Sequence, residues 1–258
     1  ALISEFIEDY KGKIGHCEHL AHTCANQCER ALKRQGLRAL VTFRAKRLDS
    51  LTAKVEERAQ DKAYQSIDEI YEDIIDLAGV RIALYFPGDR EEVDHFICNH
   101  FDVETVKDFP EALQHPGAYQ KRFLGYVGRH YRLRLQEKTL PPGERYLAND
   151  VIEVQVGSVL MHAWAEVEHD LVYKSTGGFL SQDEYAILDE LNGLMHAGEI
   201  ALERLQSAAK KRISTEKQPF SNHYELSSYL YDQASRVAHA RESEPFIGRT
   251  DILFHFLK

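Results

Sequence analysis

The centre of the chain reads Asp76-Leu77-Ala78-Gly79-Val80-Arg81-Ile82-Ala83-Leu84-Tyr85-Phe86. From Val80 onward, large apolar residues alternate with Arg81, Ala83 and Tyr85, which is the period of a β-strand with one buried face. Asp76 lies at the entrance of this strand, and Arg81 projects from its less apolar face. A carboxylate and a guanidinium held on one rigid strand suit a site for a metal and a nucleotide. A core strand with a capping aspartate and a solvated arginine is the alternative.

Length and composition restrict the class of protein. The 258 residues are 43% hydrophobic and 28% charged, which supports one large or two small domains with a hydrophobic core. No apolar run reaches the about 18 residues of a membrane-spanning helix, so no membrane partner is expected. Four cysteines do not indicate a disulfide framework in a chain of this length, which predicts a reducing, cytoplasmic location. A net charge of −9 argues against general binding of nucleic acid.

Residue periodicity predicts the other elements. We expect strands over 37–46, 102–109, 126–135 and 151–156, and helices over 3–35, 50–60, 67–75, 88–101, 158–174, 182–213, 224–240 and from Thr250. Ser50, Ser66 and Ser158 are predicted to cap helices. The order predicts an α+β (mixed α/β) fold with a mixed β-sheet of about five strands flanked by helices and an all-helical C-terminal tail. The predicted segments are an N-terminal helix over 1–36, a core over 37–178 and an extension over 179–258.

The same patterns predict which side chains are buried. The alternation over 37–46 places Phe43 on the inner face of its strand. The helical spacing after Ser158 places Val167 and Leu171 in a core stripe. In the first helix, histidines interleave with cysteines, and the small cysteines at helical spacing favour a packed stripe over a metal site.

One face of the predicted sheet collects polar and basic side chains. Its members are Arg38, Thr42, Arg44, Lys46, Arg81, Tyr126, His130, Arg132, Arg134, Glu153 and Gln155. In an acidic protein, this local excess of cations indicates an anionic ligand, because arginine binds phosphate oxygens in a bidentate manner. Asp76 and Glu153 are the carboxylates suited to hold Mg²⁺ or to accept a proton. A solvated sheet surface with salt bridges is the alternative. Neither a Walker P-loop nor G-x-G-x-x-G occurs.

Several motifs in order resemble the RelA/SpoT synthetase domain. They are Asp76-Leu-Ala-Gly-Val-Arg81, Gly125-Tyr126 followed by His130, Val151-Ile-Glu153-Val-Gln155-Val, Trp164-Ala-Glu-Val-Glu-His169 with Tyr173-Lys174, and the spacing of Arg44, Lys46, Ser50 and Lys54. The resemblance covers roughly 40 to 175. It identifies the core over 37–178 as a nucleotide pyrophosphokinase and the chain as similar to the small, synthetase-only alarmone synthetases.

The resemblance implies transfer of pyrophosphate from ATP to the 3′-hydroxyl of GDP or GTP, and possible use of GMP, with Mg²⁺ as cofactor. It implies that Asp76 and Glu153 are catalytic and bind the metal, with Glu153 as general base or metal ligand. ATP would be bound by Arg44, Lys46, Ser50, Lys54 and Arg81. The acceptor, a guanosine nucleotide, would be bound by Arg122, Tyr126, His130, Gln155 and Ala165. In physical terms such catalysis is positioning plus charge neutralisation.

The chain departs from the family pattern on the acceptor side. Val127 and Gly128 stand where the family usually has Arg-Ser or Gln-Ser, and Val156, Gly157 and Ser158 stand where it usually has Ile-Arg-Thr. Leu124 replaces a residue that is often small and polar. Polar contacts to the acceptor are therefore fewer, whereas the ATP side is intact.

Three alternative functions remain open from the sequence. The acceptor could be an adenosine nucleotide, or the 3′ end of tRNA as in toxic members of the family, although the negative charge disfavours tRNA. The chain could also be an inactive nucleotide-binding regulator, which the intact Asp76 and Glu153 disfavour. A homo-oligomer is also left open.

Overall fold

A mixed five-stranded sheet forms the centre of the protein, in a computed structural model that describes residues 2–110, 122–173, 180–215, 219–239 and 250–256. The strands are β1 (Ala39–Ala45), β2 (Ala78–Leu84), β3 (Phe101–Phe109), β4 (Gly128–Leu135) and β5 (Ile152–Ser158). Their order is β1-β2-β5-β4-β3, and only β2 and β5 are parallel. The α+β prediction with about five strands is confirmed.

Helices cover the sheet and continue into the C-terminal part of the chain. They are α1 (Leu2–Gln35), α2 (Leu48–Asp61), α3 (Ile67–Asp73), α4 (Arg90–His100), α5 (Val159–Glu168), α6 (Gln182–Ser214), α7 (His223–His239) and α8 (Thr250–Phe256). Buried residues of α1, including its three buried cysteines, pack with apolar residues of the sheet in one core. The division of the chain into three segments stays a prediction. Within the described ranges, no helix is sufficiently long and apolar to cross a membrane.

Two of the three predicted N-cap residues are confirmed, and the third is not. Ser66 accepts a hydrogen bond from the Glu69 N–H, and Ser158 accepts one from the Met161 N–H, as predicted. The prediction that Ser50 caps α2 is wrong, because α2 begins at Leu48 and Ser50 lies within its first turn. Asp49 accepts a hydrogen bond from the Ser50 N–H at 2.8 Å, and a carboxylate in the first turn is favourable for the helix dipole.

Strand β4 begins two residues later than expected. The ladder with β3 ends at the pair Phe109 and Gly128, and the next residue of the β3 side is Pro110, which has no N–H to donate. Gly125 precedes the strand with a φ of 74°, a left-handed conformation that glycine tolerates. Tyr126 therefore lies before β4, and its position is set by side-chain packing instead of a strand ladder.

Three predicted core residues are exposed. Phe43 is 41% exposed because β1 is an edge strand, and its ring lies 4.9 Å from that of His22 on α1. Val167 and Leu171 are 42% and 51% exposed, so the core stripe predicted for this helix is wrong at these two positions. The buried side of α5 is formed by Met161, His162 and Trp164, and a π-helical turn, His169–Tyr173, replaces the predicted end of the helix.

Candidate active site

A cleft opens on the polar face of β1, β2 and β5. Its lining residues come from these strands and from the turn before β2: Thr42, Phe43, Arg44, Lys46, Asp76, Gly79, Val80, Arg81, Glu153 and Gln155. The pairing register explains why they meet, because Gly79 pairs with Arg44 on one side and with Glu153 on the other. Six residues predicted from the sequence to bind substrate or catalyse the reaction thus line one cleft.

Gly79 keeps the centre of the cleft open. It stands between the cationic Arg44 and the anionic Glu153 in the sheet. A Cβ at this position would meet only backbone oxygens of its two neighbours, at 3.9 and 4.0 Å, so no side chain fills the space above it. A larger side chain here would project into the space between the two charged residues, which is where a ligand would lie.

Asp76 is the carboxylate of the cleft that forms ion pairs with two lysines. Lys46 Nζ lies 2.6 Å from its Oδ2, and Lys54 Nζ lies 2.9 Å from its Oδ1. The carboxylate is 19% exposed, and burial by itself would raise its pKa. The two ammonium groups outweigh this effect and lower the pKa of Asp76 below its ordinary value. The cluster is therefore charged at neutral pH and carries one net positive charge, which suits phosphate.

Glu153 is the second carboxylate of the cleft. Gln155 Nε2 donates to its Oε2 at 2.7 Å, and His130 Nδ1 lies 3.5 Å from its Oε1. Burial raises the pKa of Glu153, but the contacts with His130 and Gln155 outweigh burial, so the pKa is lowered. The charge of Asp76 acts in the opposite direction, as expected for two carboxylates at one site. At neutral pH, Glu153 is in the form that accepts a proton.

Tyr126 packs against a glycine pair beside the cleft. Gly128 of β4 pairs with Gly157 of β5, and a Cβ on Gly128 would come within 2.2 Å of the Tyr126 hydroxyl. A Cβ on Gly157 would lie 3.2 Å from the same oxygen. The ring thus uses the space that two absent side chains leave. Its neighbours are the rings of His130 at 5.9 Å and His162 at 5.8 Å.

Three buried polar atoms in this region have no hydrogen-bond partner among the described residues. They are Tyr126 Oη, His130 Nε2 and Arg132 Nε. An unpartnered buried polar group is costly, so a cluster of them is typical of a site that a ligand completes. Burial raises the pKa of Tyr126 to about 12, which keeps its hydroxyl protonated and able to donate.

The other predicted site residues have different surroundings. Arg81 lines the cleft, and its Nη1 lies 2.6 Å from Glu166 Oε1 on α5. Ser50 contacts Asp49 in the first turn of α2. Arg122 is bound through its Nε and its backbone N–H to Asp189 of α6, at 3.0 Å each. Ala165 lies on α5, where its carbonyl accepts the His169 N–H. The structure does not bring these last three into the lining of the cleft.

Sequence reasoning missed three residues beside the site. Glu166 pairs with Arg81, and His162 packs against Tyr126 and donates from Nε2 to the Ile82 carbonyl at 3.2 Å. Burial, followed by the charge of Arg81, lowers the pKa of His162 to about 4, so its ring is neutral. Phe109 lies with its ring 4.4 Å from that of His130. Arg132, already placed on the polar face by the sequence, is opposite Glu153 in the ladder between β4 and β5. The spacing of four residues between His162 and Glu166, one helical turn, was a usable signal.

The residues present fit Mg²⁺ with a nucleotide better than a metal held by protein alone. No group of three or more His, Cys, Asp or Glu side chains that could hold a metal occurs within the described ranges. Two carboxylates, Asp76 and Glu153, line one cleft together with lysine and arginine. Mg²⁺ is commonly bound by one or two carboxylates together with substrate phosphates, which is the donor set found here.

The fold and the cleft define an α+β domain whose sheet carries a cleft lined by cationic side chains and two carboxylates. Residues 43–178 match the model of the region found in RelA / SpoT proteins, which is more than half of the chain. The chain therefore belongs to the RelA/SpoT family, as its motifs predicted. A comparison with curated proteins finds no match.

Solved structures of small alarmone synthetases share the fold. Small alarmone synthetase 1 from Bacillus subtilis bound to AMPCPP is 18% identical with a TM-score of 0.58, covering 79% of this chain and 99% of that chain. The same protein bound to its product pppGpp is 18% identical with a TM-score of 0.55, covering 79% and 97%. A GTP pyrophosphokinase family protein from Streptococcus pneumoniae is 19% identical with a TM-score of 0.54, covering 81% and 94%.

Proposed function

We propose that this protein transfers pyrophosphate from ATP to the 3′-hydroxyl of a guanosine nucleotide. The observation that carries the proposal is the pair of ionised carboxylates, Asp76 and Glu153, in one cleft with Lys46, Arg44 and Arg81. Family membership supports the reaction class. The complexes of the Bacillus subtilis protein with AMPCPP and with pppGpp support nucleotides as substrates.

The donor is assigned to the Asp76 side of the cleft. Lys46, Lys54, Arg44 and Arg81 would bind the phosphates of ATP, and their positive charge would offset the charge that develops during transfer. Asp76 and Glu153 would hold Mg²⁺, which when bound would neutralise negative charge on these phosphates. Ser50 would act only through the first turn of α2, since the structure places it there.

The acceptor is assigned to the side of Tyr126 and His130. The ring of Tyr126 would stack on the base, and His130 Nε2 and Gln155 would contact the acceptor. Arg122, bound to Asp189 on α6, would reach the acceptor phosphates, and Ala165 would lie near the base. GDP and GTP are the proposed acceptors, with GMP as a further one.

The proposed step is an in-line displacement at phosphorus. The 3′-hydroxyl oxygen forms a bond to the β-phosphorus of ATP while the bond between that phosphorus and the oxygen bridging to the α-phosphate breaks. AMP leaves, and the hydroxyl proton passes to Glu153. Hydrogen bonding from Gln155 and the nearby His130 keep Glu153 ionised before the step, and they orient its carboxylate.

A competition experiment tests the proposal. Purified protein is supplied with labelled ATP, Mg²⁺ and equal amounts of GDP and ADP, and the products are separated by chromatography. We expect guanosine product in excess. The ratio of guanosine to adenosine product should be modest, because Gly128 and Gly157 offer no polar side chain to read the base. An excess of adenosine product would contradict the guanosine assignment. Parallel reactions with tRNA test whether its 3′ end is the acceptor. If no acceptor receives pyrophosphate, the enzyme assignment is contradicted.

A further inference from the structure

A second cavity lies at the other end of β1 and β2. It has a volume of ≈ 240 Å³ and is formed by the residues just before β1, the residues after β2, the C-terminal half of α6, and α7 with the turn before it. Apolar and aromatic groups dominate its wall, among them Leu37, Phe86, Ile213, Tyr224 and Tyr229. The pocket can therefore bury the apolar part of a small molecule.

This pocket is separate from the candidate active site. The cleft uses Thr42 to Lys46 of the β1 side, whereas the pocket uses Gly36, Leu37 and Arg38. Six residues of extended chain between Arg38 and Arg44 correspond to roughly 20 Å. Apart from Phe86 and Asp89, its lining lies outside residues 43–178, the segment that matches the family model. The pocket is thus mainly a product of the regions that flank the family core.

Arg38 gives the pocket a positively charged group with free donors. Its guanidinium lies 4.3 Å from the ring of Tyr85 and 5.6 Å from that of Tyr224. Among the described residues, no carboxylate lies within 4.0 Å of it. A guanidinium whose faces contact rings still offers its in-plane N–H groups to a planar or tetrahedral oxyanion. Lys210 adds a second cation at the rim.

None of the acidic residues that line the pocket forms an ion pair with Arg38. Asp89 is 5% exposed and receives a hydrogen bond from Gln206, and burial raises its pKa to about 6. Glu225 pairs with Arg212 at 2.6 Å, so its charge is already balanced. Asp232 is exposed on α7. The wall therefore combines an apolar surface with one guanidinium that has no acidic partner in the described structure.

We propose that this pocket binds a small amphipathic organic anion, with an aromatic or aliphatic body against Tyr224 and Ile213 and a carboxylate or phosphate on Arg38. The site goes beyond pyrophosphate transfer and does not depend on it. Apolar burial supplies the affinity, and the guanidinium selects the anionic head group.

The probe is 8-anilinonaphthalene-1-sulfonate, an aromatic anion whose fluorescence rises in apolar surroundings. We expect saturable binding with one site per chain. A209F fills the pocket, because Ala209 lines it, and R38Q removes the guanidinium charge. Each substitution should weaken binding at least about tenfold. The matched control is A208F, on the neighbouring exposed position of the same helix, which should bind like the wild type.

The outcomes separate the pocket from adventitious binding. Probe held on exposed apolar surface or in the active-site cleft would survive both A209F and R38Q, and that result would overturn the proposal. Far-ultraviolet circular dichroism verifies that A209F is folded, and R38Q tests the site without filling it. Displacement of the probe by phenyl phosphate or by phenylacetate then identifies the preferred head group, and displacement by neither would overturn the anion assignment.

Discussion

The donor side and the acceptor side of the cleft are built on different principles. On the donor side, Lys46 and Lys54 hold Asp76 at 2.6 and 2.9 Å, and this group of two ammonium groups and one carboxylate keeps one net positive charge. On the acceptor side, Tyr126 Oη and His130 Nε2 are buried with no partner in the described part of the chain. The first group is ordered by its own ion pairs before a ligand binds, whereas the second has buried polar groups that a ligand can satisfy.

This difference separates two physical tasks. A preformed charge cluster neutralises phosphates of any nucleotide and requires little reorganisation during the reaction. Unpartnered groups in a partly buried surface penalise a ligand that does not satisfy them, so they provide selectivity. We therefore expect donor-side substitutions to lower turnover and acceptor-side substitutions to change which acceptor binds and how tightly.

Glu153 lies between the two sides and should give the largest effect. E153Q keeps the shape of the side chain but removes its ability to take the hydroxyl proton, and a positioned base contributes about 10²–10⁴-fold to rate. We expect transfer to become undetectable while the dissociation constant for ATP, measured by calorimetry, stays near the wild-type value. If ATP affinity falls as much as the rate, the main role of Glu153 is to hold Mg²⁺ on the ATP phosphates, and the general-base assignment is wrong.

Asp76 tests the donor side by itself. D76N leaves two lysines without their carboxylate, and we expect turnover to fall at least about 100-fold, the size of one lost electrostatic contact in the transition state. Asp73 offers a matched control. It is similarly buried and pairs with Arg58, Lys62 and Tyr64 outside the cleft.

The control separates catalysis from stability. D73N should lower the melting temperature but leave steady-state rates close to those of the wild type. Near-normal turnover in D76N, or an equal loss in both variants, would contradict the assignment of Asp76 to the donor site.

Tyr126 tests the acceptor side. Y126A removes a stacking surface worth about 1–3 kcal/mol, by analogy with base–aromatic stacking, so the acceptor KM should rise roughly 5- to 150-fold with little change in the KM for ATP. Y126F retains the ring and removes a hydroxyl that has no partner without a ligand. Its melting temperature should match or exceed that of the wild type, and an acceptor KM as high as that of Y126A would indicate a hydroxyl contact instead of stacking.

Gly128 gives a smaller and more specific test. A Cβ in G128A would overlap the Tyr126 hydroxyl at 2.2 Å, so the ring must move away from the glycine pair. Overpacking of about 1 kcal/mol corresponds to a roughly fivefold rise in acceptor KM, again with ATP unaffected. Gly143, whose Cβ would meet nothing within 4 Å, provides the control G143A. Unchanged acceptor kinetics in G128A would show that the position of the ring does not matter.

The smallest expected effect is the acid dependence of stability. The pKa of Asp76 is lowered in the folded protein, so its contribution is present above the unfolded value and is lost as pH falls through the folded value. The melting temperatures of wild type and D76N should therefore differ most between pH 5 and 7. The difference should begin to shrink as the pH falls below about 4, the ordinary range for aspartate, and should disappear only below the lowered pKa of Asp76 in the folded protein. A constant difference from pH 7 to pH 3 would contradict the ion-pair account.

Much of the fold followed from local pattern. Alternation in β2 and β5 and helical spacing in α1 and α6 predicted the number of strands and the α+β class, because each element must bury one apolar face. The caps at Ser66 and Ser158 were also local, since an N-cap bond spans only three residues. Phe43, Val167 and Leu171 were misplaced because periodicity cannot show whether a partner covers a given face.

Part of the site was also predicted from local sequence pattern. The residue types and their order on the chain predicted that Arg44, Lys46, Arg81 and Glu153 share one polar face, with Asp76 at the entrance of its strand. Only the strand order, with β2 paired to both β1 and β5, placed Arg44, Gly79 and Glu153 side by side. Other contacts of the site join residues that are far apart in sequence. They are the pairing of Gly128 with Gly157, the packing of Tyr126 against this pair, and the ion pair of Arg81 with Glu166. Such contacts depend on tertiary packing, because no local pattern specifies which side chain fills the space that another leaves.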